Sequence, residues 1–158
     1  MIFQELDTGE ATVLALLAVA GEPMGRQRIL EHLMLAGLPL PEGQWANELA
    51  RLRQAGLVTE AAGRGFTIAP EAVGAVLEEA LASGLLREMQ SAYERLTPLR
   101  RDWQGTPVLR SYRQGLALLR MNLFMGEPAA VVMPLLDACL RCHEAASVSY
   151  THLRAHET

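Results

Sequence analysis

EGQWANELARLRQAGLVTEAAGRGFTI, residues 42–68, changes its repeat halfway. Its first half places Trp45, Leu49 and Leu52 three or four residues apart, one apolar stripe on a helix. That spacing predicts a helix from about Glu42 to Ala55, stopped by Gly56. Beyond Gly56 the helical period is lost. Leu57–Glu60 and Phe66–Ile68 read as short strands, joined by a turn at Ala61–Gly65.

Upstream, residues 8–20 are apolar nearly all round, which predicts a buried helix capped by Asp7 or Thr8. Glu10 follows Asp7 at the spacing of a capping box, and Gly21-Glu22-Pro23 ends the segment. A second helix is expected from about Gly25 to Ala36, with Ile29, Leu30 and Leu33 as its apolar stripe and Gly37 just past its end.

The order is three helices and then a two-stranded hairpin. Together with Leu49-x-x-Leu52 and the following Gly56-Leu57-Val58, it resembles the winged helix-turn-helix family over about residues 8–69. The resemblance implies a mainly α fold with a small two-stranded wing, and it identifies a fold more than a function.

Residues 70–146 read as an α-helical extension. Pro70 is suited to open a helix, Gly84 to interrupt it, and Thr97-Pro98 with Asp102–Gly105 to break it. Thr106 with Pro107 is expected to cap the next helix, which runs to about Met125. A Gly126-Glu127-Pro128 turn then leads to a last helix ending near Glu144, with Pro134 as a kink or restart. The pair looks like one tetratricopeptide-type hairpin, repeat-like and in need of neighbours to cover its faces. Residues 147–158, SVSYTHLRAHET, resemble a translated sequencing adapter, which implies a non-native tail on a truncated chain.

In a winged helix the third helix usually reads the major groove while the wing touches the backbone. At about 100° per residue, Gln44, Asn47, Arg51 and Gln54 lie opposite the apolar stripe, and all three residue types can pair with base edges. Arg64 at the wing tip, with Arg26 and Arg28 at the start of the second helix, could meet phosphates. Glu42 and Glu48 lie beside that face. The later group Arg95, Arg100, Arg101, Arg110 and Arg113 reads equally as a nucleic-acid contact or a solvated surface.

The formal charge of −4 argues that any binding to double-stranded DNA is weak. Half of the residues are apolar, enough for a core and against global disorder. No glycine-rich phosphate loop, H-E-x-x-H or G-x-S-x-G occurs, so no catalytic residues are expected. His32 reads as a half-exposed surface histidine, and Met121, Met125 and Met133 read as core filler.

Cys139, Cys142 and His143 match C-x-x-C-H, and with His152 and His156 the two cysteines supply zinc-ligand types. No exported leader accompanies the first pattern. The nine-residue gap of the second is short, and both of its histidines fall in the adapter-like tail. Neither metal nor cofactor is expected. With no signal peptide, no apolar run long enough for a bilayer and only two cysteines, the reading is a cytoplasmic protein without membrane contact.

RMNLFMGEP, residues 120–128, after a winged helix is similar to the N-terminal regions of bacterial helicases of the SNF2 type. That similarity implies a non-catalytic fragment of a larger DNA-associated protein, whose partner is the rest of that protein and whose ATPase lies elsewhere. The alternatives are a transcriptional regulator with a helical sensing region, and an interaction module that never binds nucleic acid.

Overall fold

Twelve of the thirteen residues of helix α1 (Thr8–Ala20) are buried, and the rest of the N-terminal unit is built around that fact. A helix that is apolar on every side needs cover on every side. In the computed structural model, which describes residues 2–156 (side chains except those of Glu42 and 146–156), the cover comes from five elements. These are α2 (Arg26–Leu35), α3 (Glu42–Gln54), β2 (Gly65–Ile68), α4 (Val73–Ser83) and α5 (Leu85–Leu96). Strand β1 (Val58–Ala61) pairs antiparallel with β2, Val58 opposite Ile68 and Ala61 opposite Gly65.

The N-terminal helix ends follow from local chemistry. The Asp7 side chain accepts the Glu10 N–H at 2.8 Å, and Gly21 closes α1 in the left-handed region at φ 63°. Gly65 is required by space as well as by its φ of 108°. A Cβ there would lie 2.3 Å from the Met24 carbonyl oxygen. That close approach lets Met24 and Phe66 exchange both backbone hydrogen bonds, at 2.9 and 2.8 Å, which ties the hairpin to the α1–α2 link. Short 3-10 turns at Ile2–Glu5 and Pro70–Ala72 complete the unit, and the Phe3 N–H donates to Glu79 on α4 at 2.7 Å.

The sequence pattern placed a boundary after Ala69, whereas the compact unit runs on to Pro98. Helix α5 packs on both α1 and α2, and α4 packs on α1. Three helices and a hairpin leave part of α1 open, and Val76, Leu77, Ala80, Leu86, Met89 and Tyr93 close it.

The second compact unit, Leu99–Thr158, begins with a hairpin where a helix start was expected. Strands β3 (Arg100–Arg101) and β4 (Pro107–Val108) pair antiparallel, so Pro107 lies in a strand and Thr106 caps nothing. Helix α6 (Tyr112–Phe124) starts five residues later than the Thr106-Pro107 reading implies. Ser111 caps it, accepting the Gln114 N–H at 3.1 Å, while the Gln114 side chain accepts the Arg110 N–H at 2.7 Å. After a turn at Gly126, α7 (Ala129–His156) packs on α6 and passes through Pro134 without ending. Its backbone stays helical beyond Glu144, because neither glycine nor proline occurs between Ala145 and His156 to stop propagation. Met121 is buried in this unit as expected, but Met133 is 55 % exposed. The fold is mainly helical with small antiparallel hairpins, and no helix among the described residues is long and apolar enough to cross a membrane.

Candidate nucleic-acid interface

Helix α3 turns Trp45, Leu49 and Leu52 inward, as its period requires. Trp45 meets Phe66 of β2 edge to face, ring centroids 6.1 Å apart, which fixes the hairpin against the helix. Glu48 goes inward too. It is 2 % exposed, not a flanking surface acid, so the buried stripe is wider on one side than the apolar residues alone suggest.

That shift divides the four polar residues expected to form one face. Gln44 donates from Nε2 to Glu48 Oε1 at 2.9 Å. Arg51 Nη1 lies 3.1 Å from both Asp7 Oδ2 and Glu10 Oε1, at the N-terminus of α1. Gln44 is thus engaged within α3 and Arg51 with α1. Asn47 and Gln54 stay exposed, in a strip that also carries Gly43, Ala46 and Ala50. The small residues leave room for close approach along that strip. Arg53, on the other side, pairs with Glu60 of β1 at 3.4 Å.

The remaining expected cations are dispersed. Arg64 is exposed in the β1–β2 turn, its N–H bonded to the Ala61 carbonyl at 2.9 Å. Arg28 donates to Thr97 Oγ1 at 3.2 Å, fastening α2 to the end of α5, and is only half exposed. Arg26 is exposed on the first turn of α2. The N-terminal unit carries seven arginines against thirteen acidic residues, a formal −6, while residues 99–158 carry seven against five, a formal +2.

Asp7, Glu10 and Glu48 bring carboxylate oxygens within 4.8 Å of one another. Burial pushes the Glu48 carboxyl above its usual range, and the neighbouring Asp7 and Glu10 add to that in spite of the Gln44 hydrogen bond. Partial burial works against ionisation of Asp7. Its bond from the Glu10 N–H, its contact with Glu48 and the Arg51 charge outweigh burial and hold Asp7 below the usual range. The hydrogen bond to Glu10 and its charge, with Glu48 and Asp7 behind, lift Arg51 further from neutrality. Arg51 and the partial positive charge of the α1 N-terminus thus balance an acidic knot under α3.

His32 is 1 % exposed and stacks on Tyr93 with ring centroids 5.6 Å apart, so it is a core residue and not a half-exposed one. Its Nδ1 contacts the Arg28 carbonyl, while Nε2 is buried without a hydrogen-bond partner. Burial drives its pKa below the ordinary histidine value. The spacing of α2 placed His32 beside Leu33 but gave no sign that α5 covers it.

Cys139 is buried and Cys142 partly so, both as free thiols, and burial raises the Cys139 pKa. The His152 and His156 side chains lie outside the described residues, as does that of Glu42. No protein-family model, curated protein or solved structure matches the chain.

Proposed function

We propose that residues 1–98 form a winged-helix module that assists binding to double-stranded DNA within a larger DNA-associated protein, without catalytic work of its own. The observation behind this reading is the exposed strip of α3, with Asn47 and Gln54 among Gly43, Ala46 and Ala50, together with Arg64 at the hairpin tip. An asparagine or glutamine amide can pair in two places with adenine, and small neighbours let the helix approach the groove floor. The formal −6 of the unit keeps affinity in the range of non-specific binding, about 10⁻⁴–10⁻⁶ M at physiological salt. Compared with the four-residue face read from the sequence, this one omits Gln44, which bonds to Glu48 on its own helix, and Arg51, which holds α3 to α1.

A labelled duplex titrated at low ionic strength tests the proposal by fluorescence anisotropy. The expected result is weak binding that salt abolishes. Arg64→Ala should lower the salt slope by about 1, and Asn47→Ala with Gln54→Ala should weaken binding further. Absence of binding at low salt, or indifference to all three substitutions, overturns it.

A second reading, docking to another protein, draws on Met34 and Leu35 at the end of α2, exposed by 69 % and 41 % in a unit of net negative charge. Substituting both by serine would then release a partner while leaving DNA titrations unchanged.

A further inference from the structure

Trp103 is 91 % exposed, the most exposed large apolar side chain among the described residues. It stands at the tip of the β3–β4 hairpin, in a turn that is tightly built. The Asp102 side chain accepts the N–H groups of Gln104 and Thr106, both at 2.9 Å. The Asp102 and Gly105 N–H groups bond to the Thr106 and Asp102 carbonyls at 3.0 Å, and Gly105 takes φ 81°. Arg101 Nη1 closes the same turn on the Gly105 carbonyl at 3.0 Å. A large indole is therefore held in water by a rigid support. Left there without a ligand, it gains nothing from burial.

The surroundings are cationic. Residues 100–113 contain four arginines and one acid, and that acid, Asp102, is occupied by the turn's own N–H groups. Arg100, Arg101, Arg110 and Arg113 are all exposed. In the ladder Arg100 lies opposite Val108, which is itself 47 % exposed, so one face of the hairpin offers a cation beside an apolar surface.

We propose that the β3–β4 hairpin binds single-stranded nucleic acid, with Trp103 stacking on an unpaired base and Arg100 and Arg113 meeting the phosphates on either side. An aromatic platform with flanking cations suits a strand whose base faces are open, because stacked duplex bases hide theirs. The turn is already ordered, so little side-chain or loop entropy is lost on binding. The positive sign of residues 99–158 favours a polyanion over a basic or neutral partner. The DNA-assisting reading of the N-terminal unit rests on other residues, so either proposal can fail alone.

The test uses the full chain and its own fluorescence. Trp45 is 4 % exposed, so Trp103 is the indole open to quenching. Oligo(dT), oligo(rU), a duplex and phosphatidylserine-containing vesicles are titrated separately at low salt. Saturable quenching by one or both single strands is expected, and the two arms tell DNA from RNA. Trp103→Ala should weaken binding, followed by anisotropy of the labelled strand, about ten-fold or more, and Trp103→Phe should retain most of it. Arg100→Ala and Arg113→Ala should each flatten the salt dependence by about 0.7, and Arg87→Ala on α5 should leave it unchanged. The proposal is overturned if neither strand binds, if the duplex quenches Trp103 as well as the single strands do, or if Trp103→Ala binds the single strands like the parent. Quenching by vesicles alone overturns it in favour of a membrane surface.

Discussion

Arg51 on α3 and Glu10 in the first turn of α1 form an ion pair at 3.1 Å across 41 residues of sequence. The Glu10 side chain is 5 % exposed, so the carboxylate is the buried member of the pair and the guanidinium covers it from the solvent side. An arginine on a helix expected to read DNA is thereby committed to holding that helix in place.

Arg51→Ala should lower the melting temperature, because it leaves Asp7 and Glu10 facing Glu48 without a cation. The loss should be largest at pH 7 and should shrink at pH 4, where Glu48, with its raised pKa, has taken up its proton and no longer repels its neighbours. Thermal melts followed by circular dichroism at the two pH values measure this. A drop in DNA affinity at unchanged melting temperature would instead make Arg51 a contact residue.

Glu48→Gln should stabilise the fold at pH 8 and not at pH 4. The Glu48 carboxyl binds its proton more tightly in the folded state than in the unfolded one. Its contribution is therefore complete below the unfolded value, about 4.3, and is lost as pH rises through the raised folded value. Glutamine stays neutral throughout and offers a donor where Oε2 is now buried and unpartnered. The expected gain is a few degrees in melting temperature at pH 8, with the curves of variant and parent converging in acid.

His32→Phe should flatten the pH dependence of stability between pH 7 and pH 5. With a folded pKa below the ordinary 6.5, His32 contributes stability that is present above that value and lost as pH falls toward the lowered one. Phenylalanine keeps a ring against Tyr93 and removes the buried, unpartnered Nε2. Urea titrations at the two pH values should show a difference for the parent and little for the variant.

Gly115→Ala should destabilise the second unit by about 1–3 kcal/mol, since a Cβ would lie 2.5 Å from Leu109 Cδ1 and 2.6 Å from Cys139 Sγ. Cys139→Ala removes one of the two obstacles. The double variant should therefore be more stable than additivity predicts, a coupling that denaturant titration of all four proteins in the cycle can resolve.

Features governed by near neighbours in sequence were the legible ones. Helix α1 runs over Thr8–Ala20 as its apolar run and Asp7 cap indicate, and the inward stripe of α3 follows its period. The partners of Arg51 and the cover over His32 depend on contacts 41 or more residues away, which periodicity does not encode. The β3–β4 hairpin was obscured because Thr106-Pro107 imitates a helix start. A better signal was present in Ser111-x-x-Gln114, whose cap bonds are the ones formed. The position of Glu48 was the costliest miss, because a polar residue inside a stripe is assigned outward by default. Its burial redirects Gln44 as well.

The paired bonds between Met24 and Phe66 join two points of the chain that enclose α2 and α3. They act as a clasp without a covalent bond. Without them the ends of this segment would be held only through the side-chain packing of α2, α3 and the hairpin, while closing them pays the loop entropy once for the whole segment. Helices α2 and α3 should therefore melt together with the hairpin, and the Met24 and Phe66 amides should exchange with solvent at the rate of that shared opening and not at the rate of a fraying edge.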